Sequence, residues 1–398
     1  MSPSSNDASN RAPPWLVVML GGMGGSRLEE LMRRALEASA LDAIEVALAG
    51  GKYGGAVLLA DRAPSLDVPR GVEVDVDAPG APFQFGARLS GAVAARGIES
   101  LVYLGGGSAP LLGGPEFEAL ASALDAAVGT EEASEGGAAV GVSNNFFSAD
   151  LFGLRPAALL AALDPPPTKD NNVPRRLREE HGAVFEELPR TLATQTNLDT
   201  PIDLATLALS GRGGPRLRAV LEEVPVPPRL AEAARVLTDR LAEVLVAGRV
   251  ASRAWQYLER ETACRVRLLA EERGMSAAGR EDDGRARSLL AMQLEAVGAR
   301  RFFEEQLPQL CNAAFLDIRP ALVHLGIRPS RADRFAADLG LADEIDDPRL
   351  RELVAAANAS PVPVVLGGHS LVAGDLMLLN DWAWEQVDGV RRGADTPV

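Results

Sequence analysis

The sequence predicts an α/β protein: a mostly parallel twisted sheet sandwiched by helices in the first half of the chain, followed by an all-α C-terminal domain. Three observations carry this expectation. Up to about residue 210, short β-rich runs alternate with helical stretches, the pattern of parallel strands joined by helical crossovers. A Val-Pro-Val-Pro-Pro stretch at 224–228 then reads as a linker. From 229 to about 315 the chain is nearly all helix-forming, with apolar residues at i, i+3 and i+4 spacing such as Leu237, Leu241, Val244 and Leu245.

Taken in order, strands are expected over 15–20, 44–48, 56–60, 72–76, 101–104, 138–142, 184–188 and 191–197. Helices are expected between them over 27–38, 85–95, 115–127 and 201–209. The organisation that follows is a mobile tail over 1–14, an α/β domain over 15–223 and a helical domain over 229–398. The helical part is interrupted at 279–284 (GREDDG) and near 343–348. Its end reads as a strand over 362–366, then Gly367-Gly368-His369-Ser370 and an apolar helix. There is no internal repeat.

Composition narrows the function classes. The 398 residues suffice for two or three domains. With 40 Lys+Arg against 55 Asp+Glu, the formal net charge is −15, which lacks the basic footprint that nucleic-acid binding requires. Lys52 and Lys169 are the only lysines, a skew expected of a GC-rich genome. Cys264 and Cys311 fit no metal spacing and form no disulfide framework, so a reducing cytoplasm is expected. The first residues lack the apolar stretch of a signal peptide, and no run of about 18–20 apolar residues occurs, so neither secretion nor a membrane partner is expected.

Three segments carry chemistry. The first, LGGMGGSRL at 20–28, lies between an expected strand and an expected helix. Gly21, Gly22, Gly24 and Gly25 there let backbone pass close to a phosphate, and the free N–H groups at the helix start supply donors. It is not a Walker A loop, because no Gly-Lys-Ser/Thr follows, and a tight strand-to-helix turn explains it equally well. The second, LVYLGGGSAPLL at 101–112, places Gly107 and Ser108 at the carboxyl edge of the sheet, where open α/β sheets bind ligands; a flexible connection is the alternative. The third is TNLDTPIDL at 196–204. Thr200 and Asp203 are expected to cap the next helix, and capping leaves Asn197 and Asp199 unexplained. His369 and Ser370, after a glycine pair, read as a helix cap or an anion contact.

In this order and spacing the three segments resemble the nucleotidyltransferase fold of the molybdenum-cofactor guanylyltransferases and the 2-phospholactate guanylyltransferases, a glycosyltransferase-A-like α/β fold. LGGMGGSRL is similar to the family's nucleotide loop, GSAPLL at 107–112 to its GDxPLL turn, and NLDTPIDL at 197–204 to its TPEDL signature. GVSNN at 141–145, which contains Asn144, is a looser match to the Gly-Thr-Asn run of the phospholactate enzymes. The resemblance covers about half the chain and nothing after 228.

The resemblance implies a nucleotide or nucleotide sugar held by Gly21, Gly22, Gly24, Gly25, Ser26, Arg27, Gly107 and Asn144. It further implies Mg²⁺ held by Asn197 and Asp199, and a small phosphorylated acceptor that attacks the α-phosphorus and expels pyrophosphate. Arg27, Ser108 and Asp199 would flank the reaction centre. The sequence departs from the pattern at Ser108, where the family carries its metal-binding Asp; at Met23, where the loop carries Gly; and in having no Lys between Arg27 and Gly51. A neutral hydroxyl is a poor ligand for a hard divalent cation. Two alternatives therefore stay open: a non-catalytic nucleotide-binding or scaffold protein of the same fold, and a glycosyltransferase using a nucleotide sugar. The helical half would close the cleft or mediate assembly into a homo-oligomer.

Overall fold

The first seven strands form one sheet in the order β3-β2-β1-β4-β6-β5-β7, and four later strands form a second in the order β11-β10-β8-β9. The structure is a computed structural model that describes residues 12–127, 139–276 and 278–389. The chain divides into two compact units. One runs to Gly22 and resumes over Leu36–Pro189, and the other comprises Met23–Ala35 and the described chain from Arg190 onward. Of the expected tail, residues 1–11 lie outside the described residues. Residues 12–14 hold to the first unit: the Gly54 N–H donates to the Pro14 carbonyl (3.0 Å) and Arg155 Nη2 to the Ala12 carbonyl (2.9 Å).

In the first unit, β1 (Trp15–Leu20), β2 (Gly55–Ala60), β3 (Val72–Val76) and β4 (Leu101–Gly105) are parallel, with Trp15 opposite both Gly55 and Leu101. β5 (Val140–Ser143) and β7 (Val184–Glu187) continue that direction. β6 (Leu151–Arg155) alone runs against it, between β4 and β5. The sheet is thus mostly parallel and flanked by helices, as expected. Its core joins β1, β2, β4 and β6 to the helix Phe85–Arg96, with Tyr103 stacked on Phe152 at 4.9 Å and edge-on to Phe85 at 5.4 Å. Gln84 caps that helix by accepting the Ala87 N–H, and Gly97 ends it in the left-handed conformation.

Three local expectations for this half are corrected. Residues 44–48 belong to the helix Arg27–Ala49. No Gly or Pro interrupts that span, and Leu28, Leu31, Met32, Ala35, Ile44 and Ala47 are buried at helical spacing, which overrides the β-branched Ile44 and Val46. Residues 191–197 contain the helical turn Leu192–Gln195 instead of a strand, because Thr191 and Thr194 form a reciprocal capping box. β6 was not expected at all. Its central Gly153 weakens the strand signal, yet nothing larger fits, since a Cβ there would lie 2.8 Å from Leu124 Cδ1.

The second unit is not all helical. β8 (Glu243–Gly248), β9 (Arg265–Ala270), β10 (Ala313–Asp317) and β11 (Val364–Gly367) form a parallel four-stranded sheet with helices between the strands. The helical spacing through Leu237, Leu241 and Val244 is fortuitous. Leu241 is 92% exposed, the helix Pro228–Val236 has already ended, and Val244, Val246 and Ala247 are buried in β8. Short apolar runs are ambiguous between helix and strand, and only β11 was legible. No helix among the described residues is long and apolar enough to cross a membrane. Cys264 and Cys311 are buried free thiols, and burial pushes both up to about 11.

Candidate functional site

In the first sheet the chain builds outward from β1 through β2 to β3 and then returns to place β4 on the other side of β1. The carboxyl ends of β1 and β4 therefore flank the topological switch point, the usual ligand crevice of an open α/β sheet. Both glycine-rich loops begin there. Met19 pairs with Gly105, and the Gly106 N–H continues the ladder by donating to the Met19 carbonyl (2.9 Å). A Cβ on Gly106 would lie 2.0 Å from Leu20 Cδ2 and 3.2 Å from the Met19 carbonyl oxygen, so the Gly106 backbone packs directly against the end of β1. Gly22 adopts φ 77°, a conformation that favours glycine.

Side chains at this edge were not all legible. Asp61, directly after β2, accepts the Gly22 N–H at 3.1 Å and lies against Gly21. Ser108 is buried, its N–H donating to the Gly105 carbonyl at 2.9 Å and its Oγ packed close over Gly105. Asn144 is also buried. Its side-chain carbonyl accepts the Asp150 and Leu151 N–H groups at 3.3 Å each, which fixes the turn from β5 into β6. At the same edge Tyr103 donates to Asp170 Oδ2 (3.1 Å), and Asn171 donates to Asp150 Oδ1 (3.3 Å). Burial, with the neighbouring Asp170 charge, pushes the Tyr103 phenol well above its usual range, so it stays a donor. An Asp directly after an apolar strand was the signal available for Asp61; Asp150 and Asp170 lay in stretches without one.

Gly24, Gly25, Ser26, Arg27, Asn197 and Asp199 belong to the second unit. Ser26 accepts the Glu29 N–H at 3.3 Å, a capping contact at the start of Arg27–Ala49. Arg27 Nη2 reaches both carboxylate oxygens of Glu344, at 3.0 and 3.2 Å. The capping expected of Thr200 and Asp203 is present: Asp203 accepts the Asp199 and Thr200 N–H groups at 2.7 Å each and the Thr200 hydroxyl at 3.0 Å. Asp199 instead points outward and accepts the Ser370 hydroxyl at 2.7 Å, while His369 Nδ1 lies 2.8 Å from the Arg249 carbonyl. Asn197 is half-buried in the segment before that helix.

A second carboxyl, on Asp375, lies beside Asp203. Both residues are fully buried, and neither Asp375 oxygen meets a donor among the described residues. Two carboxylates in contact cannot both be charged in a dry site. Burial raises both carboxyls, Asp203 well above the usual carboxylate range and Asp375 to about 7, so above pH 7 the pair still shares one proton.

No family model matches the chain, and no curated protein does. Solved structures do. A protein of Desulfovibrio desulfuricans G20 assigned to the nucleotide-diphospho-sugar transferases is 12% identical, with 54% of this chain and 95% of that one covered and a TM-score of 0.37. A cytidylyltransferase from Leptospira borgpetersenii is 15% identical over 54% of this chain and 94% of that one, with a TM-score of 0.32. A CMP:2-keto-3-deoxy-manno-octonic acid synthetase complexed with CTP is 12% identical over 44% and 90%, with a TM-score of 0.29. Site assignments for this chain rest on its own geometry.

For Mg²⁺ the donor chemistry is restrictive. Among the described residues no group of three or more His, Cys, Asp or Glu could hold a metal. Mg²⁺ is, however, commonly bound by one or two carboxylates, waters and the phosphates of a ligand. Asp199, exposed and steadied by Ser370, fits that open kind of site and not a closed one. Asp203 does not fit, since its oxygens are spent on the helix cap.

Proposed function

We propose that this protein is a nucleotide-binding transferase whose first unit takes an NTP or nucleotide sugar at the carboxyl ends of β1 and β4. The observation that supports this most is the meeting of two glycine-rich loops, 20–25 and 105–108, at the switch point, where the Gly106 N–H donates to the Met19 carbonyl and the Gly106 backbone packs under the Leu20 side chain. Gly22, where an added Cβ would meet nothing within 4 Å, leaves room for a phosphate there, with Gly21 and Gly107 in the same two loops. Gly24, Gly25, Ser26 and Arg27 form the start of the following helix, where N–H groups and a guanidinium favour anions. Arg27 pairs with Glu344 through side chains that are well exposed, at 63% and 47%, so its guanidinium is open to an anion. The role of Asn144 is to hold the β5–β6 turn in place for the ligand.

The finer reading is transfer of a nucleoside monophosphate. An oxygen of a small phosphorylated acceptor bonds to the α-phosphorus, the bond to the bridging oxygen breaks, and that electron pair leaves with pyrophosphate. Mg²⁺ would supply charge neutralisation when bound; Asp199 and Asn197, the ligands that the resemblance implies, belong to the second unit. Ser108 Oγ would contribute a hydrogen bond in place of a metal-bound carboxylate. That substitution also favours a second reading, a protein that binds the nucleotide without turning it over.

Thermal shifts with a panel of NTPs and nucleotide sugars, with Mg²⁺ or with EDTA, test the proposal. A ligand-specific rise supports nucleotide binding, and its absence across the panel removes it. Pyrophosphate release with phosphorylated acceptors supports transfer; a shift that ignores Mg²⁺, without release, supports the non-catalytic reading. Release of a nucleoside diphosphate from a nucleotide sugar would point to glycosyl transfer.

A further inference from the structure

The second sheet has its own switch point. The chain passes from β8 to β9 on one side and then returns to place β10 on the other side of β8, so the crevice falls at the carboxyl ends of β8 and β10. Those ends approach so closely that a Cβ on Gly248 would lie 2.5 Å from the Asp317 Cβ. Arg249 bridges them with a two-point ion pair to the fully buried Asp317, Nε to Oδ2 at 2.6 Å and Nη2 to Oδ1 at 3.1 Å. Burial opposes the Asp317 charge, yet Arg249 holds its carboxyl below the usual range.

Directly after β10 a cavity of about 710 Å³ opens, lined by Arg287, Arg319, Arg328 and Arg334 together with carboxylates that include Glu281 and Asp282. Its volume suits a small metabolite. Arg319 is only 9% exposed. Its Nη2 holds both oxygens of buried Asp338, at 2.8 and 2.6 Å, while its Nη1 is buried with no acceptor among the described residues. An unsatisfied buried guanidinium donor is costly, and a ligand oxygen would relieve it. Half-buried Arg334 donates to the Pro329 carbonyl (3.0 Å), and neither it nor Arg328 has a carboxylate within ion-pair distance among the described residues. Burial first, and then the Arg319 and Arg331 charges, push the Arg334 pKa down, only partly offset by Asp338 and Glu281.

We propose that this cavity binds a phosphorylated polyol or sugar, with the phosphate on Arg319, Arg328 and Arg334 and the hydroxyls on the lining carboxylates. The arginines call for a compact dianion, for which planar guanidinium groups are suited. The lining carboxylates, of which Asp282 has no hydrogen-bond partner among the described residues, would repel a polyanion but accept hydroxyl hydrogens. The site lies wholly within the second unit and stands or falls independently of the nucleotide reading.

Calorimetric titration of the full chain with glucose 6-phosphate, ribose 5-phosphate and glycerol 3-phosphate, against glucose and inorganic phosphate, tests it. Saturable binding of at least one phosphorylated polyol is expected, tighter than inorganic phosphate and absent for glucose. Arg328→Gln, at an exposed side chain without a partner, should leave the melting temperature unchanged and weaken binding about tenfold or more, as expected for loss of a charge-assisted contact. Arg334→Gln should do the same, whereas Arg27→Ala should leave this binding intact. No binding by any of the three, equal affinity for inorganic phosphate, or affinity unmoved by both cavity variants would overturn the proposal.

Discussion

Replacing Asp375 with Asn should stabilise the protein at pH 8 and change it little at pH 4. Asp375 sits fully buried beside Asp203 without a donor of its own, and burial is the main cause that raises it from an ordinary 3.8 to about 7. A carboxyl raised in the folded state binds its proton more tightly there than in the unfolded chain. Stability is therefore fully present below about pH 4, declines as pH rises toward 7, and levels off above. A tenfold change in proton affinity corresponds to about 1.4 kcal/mol, so the rise from 3.8 to about 7 sets an upper bound of about 4 kcal/mol lost by pH 8. An Asn amide cannot ionise and can donate to Asp203 as the protonated carboxyl does, so Asp375→Asn removes that loss. Urea unfolding of wild type and variant at pH 4 and pH 8 measures it, with most of the gain at pH 8. Equal destabilisation of the variant at both values, or wild-type stability that rises between them, would refute the shared proton.

Other consequences are smaller or more local. Arg27→Ala breaks an exposed pair with Glu344 worth at most about 1 kcal/mol, so the melting temperature should hardly move while the nucleotide-induced thermal shift disappears. Ser108→Asp places a carboxylate over Gly105 in a buried site; the melting temperature should fall in EDTA and recover with Mg²⁺, and recovery without Mg²⁺ would argue against a cation at this edge. Gly374→Ala drives a Cβ to 2.4 Å from the Gln195 carbonyl oxygen, a backbone atom that cannot swing aside. Chemical denaturation should show a loss of about 1–3 kcal/mol, and a neutral variant would mean that the segment before Asn197 and Asp199 is loosely held.

The outcome at particular residues shows what the sequence could and could not disclose. The parallel core strands were legible because β1, β2 and β4 are short, apolar and end in glycine or Asp, and their loops met where strand order alone places a crevice. β6 was hidden by Gly153, whose missing side chain is filled by Leu124 and Val142, atoms that no local pattern reveals. The second sheet was hidden by the chance helical spacing of Leu237, Leu241 and Val244, which only the exposure of Leu241 resolves. At the site, glycines advertise themselves in sequence, but the residues that answer them do so across long separations. Asp61 reaches Gly22 over 39 positions and Glu344 reaches Arg27 over 317. Thr200 and Asp203 were legible as caps because capping is a local contact.

The central claim is the location of the ligand at the carboxyl ends of β1 and β4, and hydrogen–deuterium exchange tests it most directly. With the nucleotide that gives the largest thermal shift, in Mg²⁺, backbone amides over 20–25 and 105–109 should exchange more slowly than in the free protein. Protection that appears only elsewhere, with both glycine loops unchanged at saturating ligand, would contradict the account.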